Sequence, residues 1–95
     1  MIATHNSLSE AIRSASASLL NKALSTAIDL HGQMKHAHWN LRGPGVTAAH
    51  RLFDDAAALA YEQSDALAER AGALGSEAVG TIQVAAKSTA CHPIH

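Results

Sequence analysis

Residues 47–75 read TAAHRLFDDAAALAYEQSDALAERAGALG, and this stretch decides the fold. It contains no Pro and is rich in Ala and Leu, both good helix formers. Thr47 is a fitting N-cap and Gly75 a fitting stop, so the stretch predicts one helix from Thr47 to about Ala73. At 100° per residue with His50 as zero, Asp54 falls at about 40°, Asp65 at about 60° and Glu69 at about 100°. Leu52, Phe53, Ala56, Leu59, Ala60, Leu67, Ala71 and Leu74 occupy the arc from about 180° to 300°. The expectation is an apolar stripe packed inside the subunit and a stripe of potential metal ligands pointing elsewhere.

Upstream, Gly43-Pro44-Gly45 breaks the chain. Before it, Leu20, Leu24, Ala27, His31, Met34, His38 and Leu41 follow a 4-3 spacing, one face of a long helix. Ser7-Leu8-Ser9-Glu10 has the form of a capping box and places the start of that helix. A short connector between two long helices predicts an antiparallel hairpin. Downstream, Gly80 and Thr81 open a short third helix over Thr81–Lys87. Residues 88–95 lack periodicity and are expected to fray. The class is all-α, within a single domain spanning 1–95.

The 95 residues are 47% apolar, but Ala supplies 21 of them and Trp39, Phe53 and Tyr61 are the only aromatics. A domain of this size buries about 60–65% of its unfolded surface, so the core is thin and oligomerisation is the expected remedy. Seven Lys plus Arg against eight Asp plus Glu give a net charge of −1, and no Lys or Arg precedes Arg13. That pattern speaks against an autonomous nucleic-acid-binding arm. A single Cys91 excludes an intramolecular disulfide and fits a reducing compartment. Without an apolar run of membrane length or a secretory leader, a cytoplasmic protein with no membrane role is expected.

His50/Asp54 and Asp65/Glu69 are each spaced i, i+4, with roughly 5–6 Å between Cβ atoms on a helix. Imidazole and carboxylate donors without thiolate suit iron, manganese or zinc. Asp54 and Asp65 lie about 16 Å apart along the axis, too far for one metal with bonds of about 2 Å. One helix therefore carries two half-sites. An antiparallel copy packed across a two-fold axis near Leu59/Ala60 would bring each half-site onto the other half-site of its mate. Ala57, Ala58 and Tyr61 would line that contact, and His38, just before the hairpin turn, would complete the site. The plainer reading is that a single such pair is ordinarily a solvated helix face. His31 is expected in the core or just behind the ligands, Met34 in the core, His36 exposed, and Trp39 as packing rather than an electron donor. Cys91-His92-x-x-His95 reads as a chance chelating tail.

Lys35-His36-Ala37-His38-Trp39-Asn40-Leu41-Arg42-Gly43-Pro44 closely resembles the Dps family, the miniferritins named as DNA-binding proteins from starved cells. So do Ala49-His50-Arg51-Leu52-Phe53-Asp54, Asp65-Ala66-Leu67-Ala68-Glu69-Arg70-Ala71, Ala73-Leu74-Gly75 and Ala78-Val79-Gly80-Thr81. The resemblance covers roughly residues 19–88 with all motifs in register. It implies a ferritin-like fold and iron ligands at His38, His50 and Asp54 of one chain and at Asp65 and Glu69 of its two-fold mate. It further implies a cytoplasmic cage of twelve chains that oxidises Fe(II), preferentially with hydrogen peroxide, and stores the ferric product. Two departures are visible. The lysine-rich N-terminal tail of many DNA-binding members is absent, so weak or no DNA binding is expected. The chain also stops where the family continues through two further long helices, so the ferritin-like domain is expected to be incomplete and the cage not to close.

The resulting expectation is a ferroxidase-type, homo-oligomeric iron protein using hydrogen peroxide or dioxygen, with protection from oxidative stress as its role. The alternative is a non-enzymatic helical association module, or an inactive remnant, docking on a full-length homologue. A nucleoid-binding protein is the third option.

Overall fold

The computed structural model describes residues 1, 2, 4 and 6–91. Three helices follow in order: α1 (Glu10–Asn40), α2 (Val46–Ala73) and α3 (Ile82–Ser88). Both long helices start away from the expected residue, α1 later and α2 earlier. Ser9, not Ser7, caps α1, its hydroxyl accepting from the Ile12 N–H at 3.2 Å. Thr47 lies inside α2, whose N-cap is Gly45 at φ 76°. Both Gly43 and Gly45 take positive φ, which lets Val46 N–H reach back to the Gly43 carbonyl and start the helix earlier. At the other end Gly75 (φ 87°) donates to Gly72 O and Ser76 to Ala71 O, a Schellman closure that ends α2 where the sequence placed it.

The hairpin expected from the short connector is present, with α1 and α2 antiparallel. On α1 the buried line runs through Ala17, Leu24 and Ala27, with Leu20, His31, Met34 and His38 half-buried along the same heptad seam. The seam of α2 is rotated by about 40–50° from the expected stripe. Ala57, Ala60, Ala71 and Leu74 are buried and Phe53 and Leu67 half-buried, while Leu52 and Leu59 are 66% and 57% exposed. Ala57, assigned from sequence to the partner-facing stripe, is only 1% exposed because it sits beneath α1. Small residues on α2 let the large side chains of α1 approach closely, so the closest contact follows the alanines rather than the leucines.

α3 begins after its N-cap Thr81, whose hydroxyl accepts from Val84 N–H, and packs on α1 with Ala85 buried. Asn21 brackets the approach, donating to Glu77 O and accepting from Val79 N–H. Of the stretch expected to fray, Ser88 closes α3 and the Ala90 N–H donates to Thr26 Oγ1. Residues 92–95, including the His92 and His95 of the chelating tail, lie outside the described residues. Among the described residues no helix is long and apolar enough to cross a membrane.

Candidate metal site at the hairpin turn

The antiparallel register puts the end of α1 beside the start of α2, and this brings His38 and His50 together. Their ring centroids are 4.6 Å apart, tilted by 51°. His38 Nδ1 lies 2.7 Å from the His50 carbonyl oxygen. A carbonyl only accepts, so Nδ1 carries the proton and the lone pair of the neutral ring sits on Nε2. A second contact of this kind is how proteins commonly orient a metal-binding imidazole. The Nε2 atom of His50 is buried and has no hydrogen-bond partner among the described residues. Such an orphan is unusual and calls for a physical reason.

Asp54 stands one turn after His50, as expected, and is held by a residue the sequence reading did not single out. Lys35 Nζ lies 2.7 Å from Asp54 Oδ1. The Lys35 hydrogen bond, then its charge, hold the Asp54 carboxyl below its ordinary pKa; partial burial opposes this and nearby His38 adds a smaller pull in the same direction. Asp54 is therefore a carboxylate at neutral pH, with an ammonium where a cation would sit. The signal for Lys35 was available. If residue 38 lies beside residue 50 in antiparallel helices, three residues back on α1 meets four residues on along α2.

Asp65 and Glu69 are exposed on α2 and take no part in any ion pair among the described residues. No three His, Cys, Asp or Glu side chains among the described residues converge within this one chain to hold a metal ion. The chain thus brings the His38 and His50 rings together, places Asp54 on the next turn against Lys35, and leaves Asp65 and Glu69 apart from all three. His31 is half-buried with Nδ1 2.9 Å from the Ala57 carbonyl and its ring 5.8 Å from Tyr61, while His36 is exposed as expected. Trp39, expected to pack, is 64% exposed on the single chain.

The ferritin-like domain family matches residues 17–92. A "DNA protection during starvation protein" of Agrobacterium fabrum is 37% identical over 86 residues, 90% of this chain and 53% of that protein. A protein of the same name from Mycolicibacterium smegmatis is 43% identical over 65 residues, 68% of this chain and 36% of the relative. This chain belongs to the Dps family. Among solved structures, DpsC from Streptomyces coelicolor superimposes with a TM-score of 0.91 at 33% identity, over 97% of this chain and 54% of that one. Mycobacterium smegmatis Dps in its tetragonal form gives 0.92 at 35% identity, over 100% of this chain and 58% of that one. The three-helix arrangement is that of the N-terminal half of Dps structures. The chain spans about half the length of the Dps chains it superimposes on, and about a third to a half of the relatives named above.

Proposed function

We propose that this chain oxidises and sequesters iron, with Fe(II) as substrate bound at a site shared between two copies. One observation carries the reading. Two imidazoles meet at the hairpin turn, one with its tautomer set by a backbone carbonyl and the other with a buried, unpartnered Nε2. Asp54, one turn on and paired with Lys35 in the metal-free chain, would turn to join them, giving two nitrogens and one carboxylate, a donor set that suits iron. Asp65 and Glu69 of a two-fold mate supply the remaining carboxylates. The mate meets α2 at the level of Leu59/Ala60 through the face bearing Ala58 and Tyr61.

The chemistry follows from the donors. Anionic oxygens stabilise Fe(III) more than Fe(II) and so favour electron loss, while the imidazoles fix geometry and leave positions open for an oxidant. Two Fe(II) ions each lose one electron, and hydrogen peroxide takes up both to give two hydroxide ions; dioxygen is the alternative acceptor. In this reading the protein acts in the cytoplasm, as a homo-oligomer, in defence against oxidative stress. Lys35 leaves Asp54 as iron enters, because one carboxylate oxygen cannot serve both cations at close range.

Mixing tests the shared site. A His50→Ala/Asp54→Ala chain and an Asp65→Ala/Glu69→Ala chain should each fail to form ferric product, and their mixture should regain activity. In mixed dimers one interface holds every ligand. A mixture as inactive as its components, with dimers present by light scattering, would refute the arrangement. DNA binding by the 95-residue chain should be weak and should vanish at moderate salt, because a net charge of −1 releases few counterions. Tight retardation of DNA at physiological salt would contradict this.

A further inference from the structure

The imidazole pair and the ion pair sit one helical turn apart on the same two helices. Lys35 precedes His38 on α1 and Asp54 follows His50 on α2, so the two pairs are offset by about 5 Å along the hairpin. With Lys35 Nζ 2.7 Å from Asp54 Oδ1, the hydrogen-bond partner of this carboxylate is an ammonium and not an imidazole. The two side chains are 31% and 53% exposed, so the contact is open to exchange with ions from solution. The donors of the site therefore stand under different conditions. The His38 and His50 rings suit an ion that takes nitrogen, such as iron or zinc. Asp54, joined by Asp65 and Glu69 of the mate, is an oxygen cluster of the kind that magnesium and calcium take.

We propose that Lys35 determines which cation the site accepts: it is a tethered competitor that keeps oxygen-seeking divalent ions off Asp54 and yields only to an ion that also gains the two imidazoles. The inference rests on the shared iron site proposed above and adds its selectivity. Held on a neighbouring turn of the same fold, the ammonium is always at hand, as a tethered group is, at an effective concentration that a dilute ion does not match. Magnesium or calcium would have to displace it and would receive only oxygen in return. An ion with affinity for nitrogen is held first by His38 and His50, and then takes the carboxylate as a further ligand. Lysine suits this task because its ammonium is a point charge on a flexible stem. An arginine would clamp both carboxylate oxygens and release them less readily.

The probe is Co(II), which takes the same nitrogen and oxygen donors and reports them in its visible absorption. It is titrated at constant ionic strength into the unaltered chain and into Lys35→Met and Lys35→Arg chains of equal helicity by circular dichroism. Lys35→Met should bind Co(II) roughly 2–5-fold more tightly, the range that an exposed ion pair is worth. Millimolar Mg(II) should cancel that gain and leave the unaltered and Lys35→Arg chains unmoved. In an Asp54→Asn background Lys35→Met should change nothing, because the ammonium then has no carboxylate to guard. The proposal is overturned if Lys35→Met matches the unaltered chain with and without Mg(II). It is equally overturned if Mg(II) weakens Co(II) binding alike in both, or if the tightening survives Asp54→Asn. His50→Ala separates this inference from the reading beneath it. A His50→Ala chain that binds Co(II) as the unaltered chain does would sink the metal site itself, whereas binding lost there with no response at Lys35 would sink the competitor alone.

Discussion

Two levels of the hairpin, seven residues apart, share one backbone arrangement and differ in what it carries. At the turn, His38 on α1 points Nδ1 at the His50 carbonyl on α2. Two turns away His31 points Nδ1 at the Ala57 carbonyl in the same way. Both imidazoles are thereby set with Nε2 as the lone-pair nitrogen. At the first level α2 adds an imidazole at 50 and a carboxylate at 54; at the second it offers Ala57 and Tyr61 in the equivalent places. On α1 the equivalent of Lys35 is Ile28. An oriented histidine is thus a product of the antiparallel register, repeated wherever a His falls in the seam. The half-site proposed above falls at the level where α2 carries an imidazole and, one turn on, a carboxylate.

The sharpest way to break this comparison is to truncate one histidine at each level. His50→Ala should reduce Fe(II) oxidation on the order of 100-fold, measured by absorbance of the ferric product. His31→Ala should stay within about 2-fold on the same assay and lower stability by about 0.5–1.5 kcal/mol through its lost hydrogen bond. Equal losses of activity would mean that the two levels work as one site.

Neighbouring alanines sharpen the comparison through packing. Ala57→Leu forces bulk beneath α1 and should cost about 1–3 kcal/mol. Ala58→Leu, on the exposed side, should change the stability of the chain by no more than about 0.5 kcal/mol. For a domain of this size each kcal/mol shifts the midpoint by about 4–8 °C, so thermal melts separate the two. The reverse order would put Ala58, not Ala57, beneath α1.

The smallest effect concerns Asp54, the carboxylate that the His31 level lacks. Its folded pKa lies below the ordinary value, because Lys35 favours the charged form. The stability this contributes is present above the ordinary carboxylate pKa and is lost as pH falls through the depressed one. Lys35→Met should move the Asp54 midpoint upward in a carboxyl NMR titration of the metal-free protein. An unmoved midpoint would mean that the ion pair does not form in solution.

These comparisons also show what could be read before any coordinates. The α1 seam was legible because large side chains, Ala27 alone excepted, recur on a regular 4-3 spacing from Leu20 to Leu41. The α2 seam was read rightly at Phe53, Ala60, Leu67, Ala71 and Leu74, but Leu52 and Leu59, which are exposed, were drawn into it by their size. The contact in fact follows Phe53, Ala57, Ala60, Ser64, Leu67, Ala71 and Leu74, an equally regular spacing made mostly of residues too small to announce it. The exposed placement of Asp54, Asp65 and Glu69 on α2 was legible because charge, position and the length of a helical turn are independent of that error. Lys35 was missed because a lysine on a helix is ordinarily solvated, and only the cross-helix register gives it a partner.

The open end of the hairpin, far from the histidines, is tied by the first residues of the chain. Ile2 N–H donates to the Gly75 carbonyl at 2.7 Å, Thr4 Oγ1 to the Ala73 carbonyl at 3.0 Å and Arg13 Nη1 to the Leu74 carbonyl at 3.2 Å. Three carbonyls that a helix end would leave to water are taken up by groups some sixty to seventy positions earlier. A free hairpin frays first where its ends part. Here that route is barred, and hydrogen exchange should find the final turn of α2 slower than its exposure suggests.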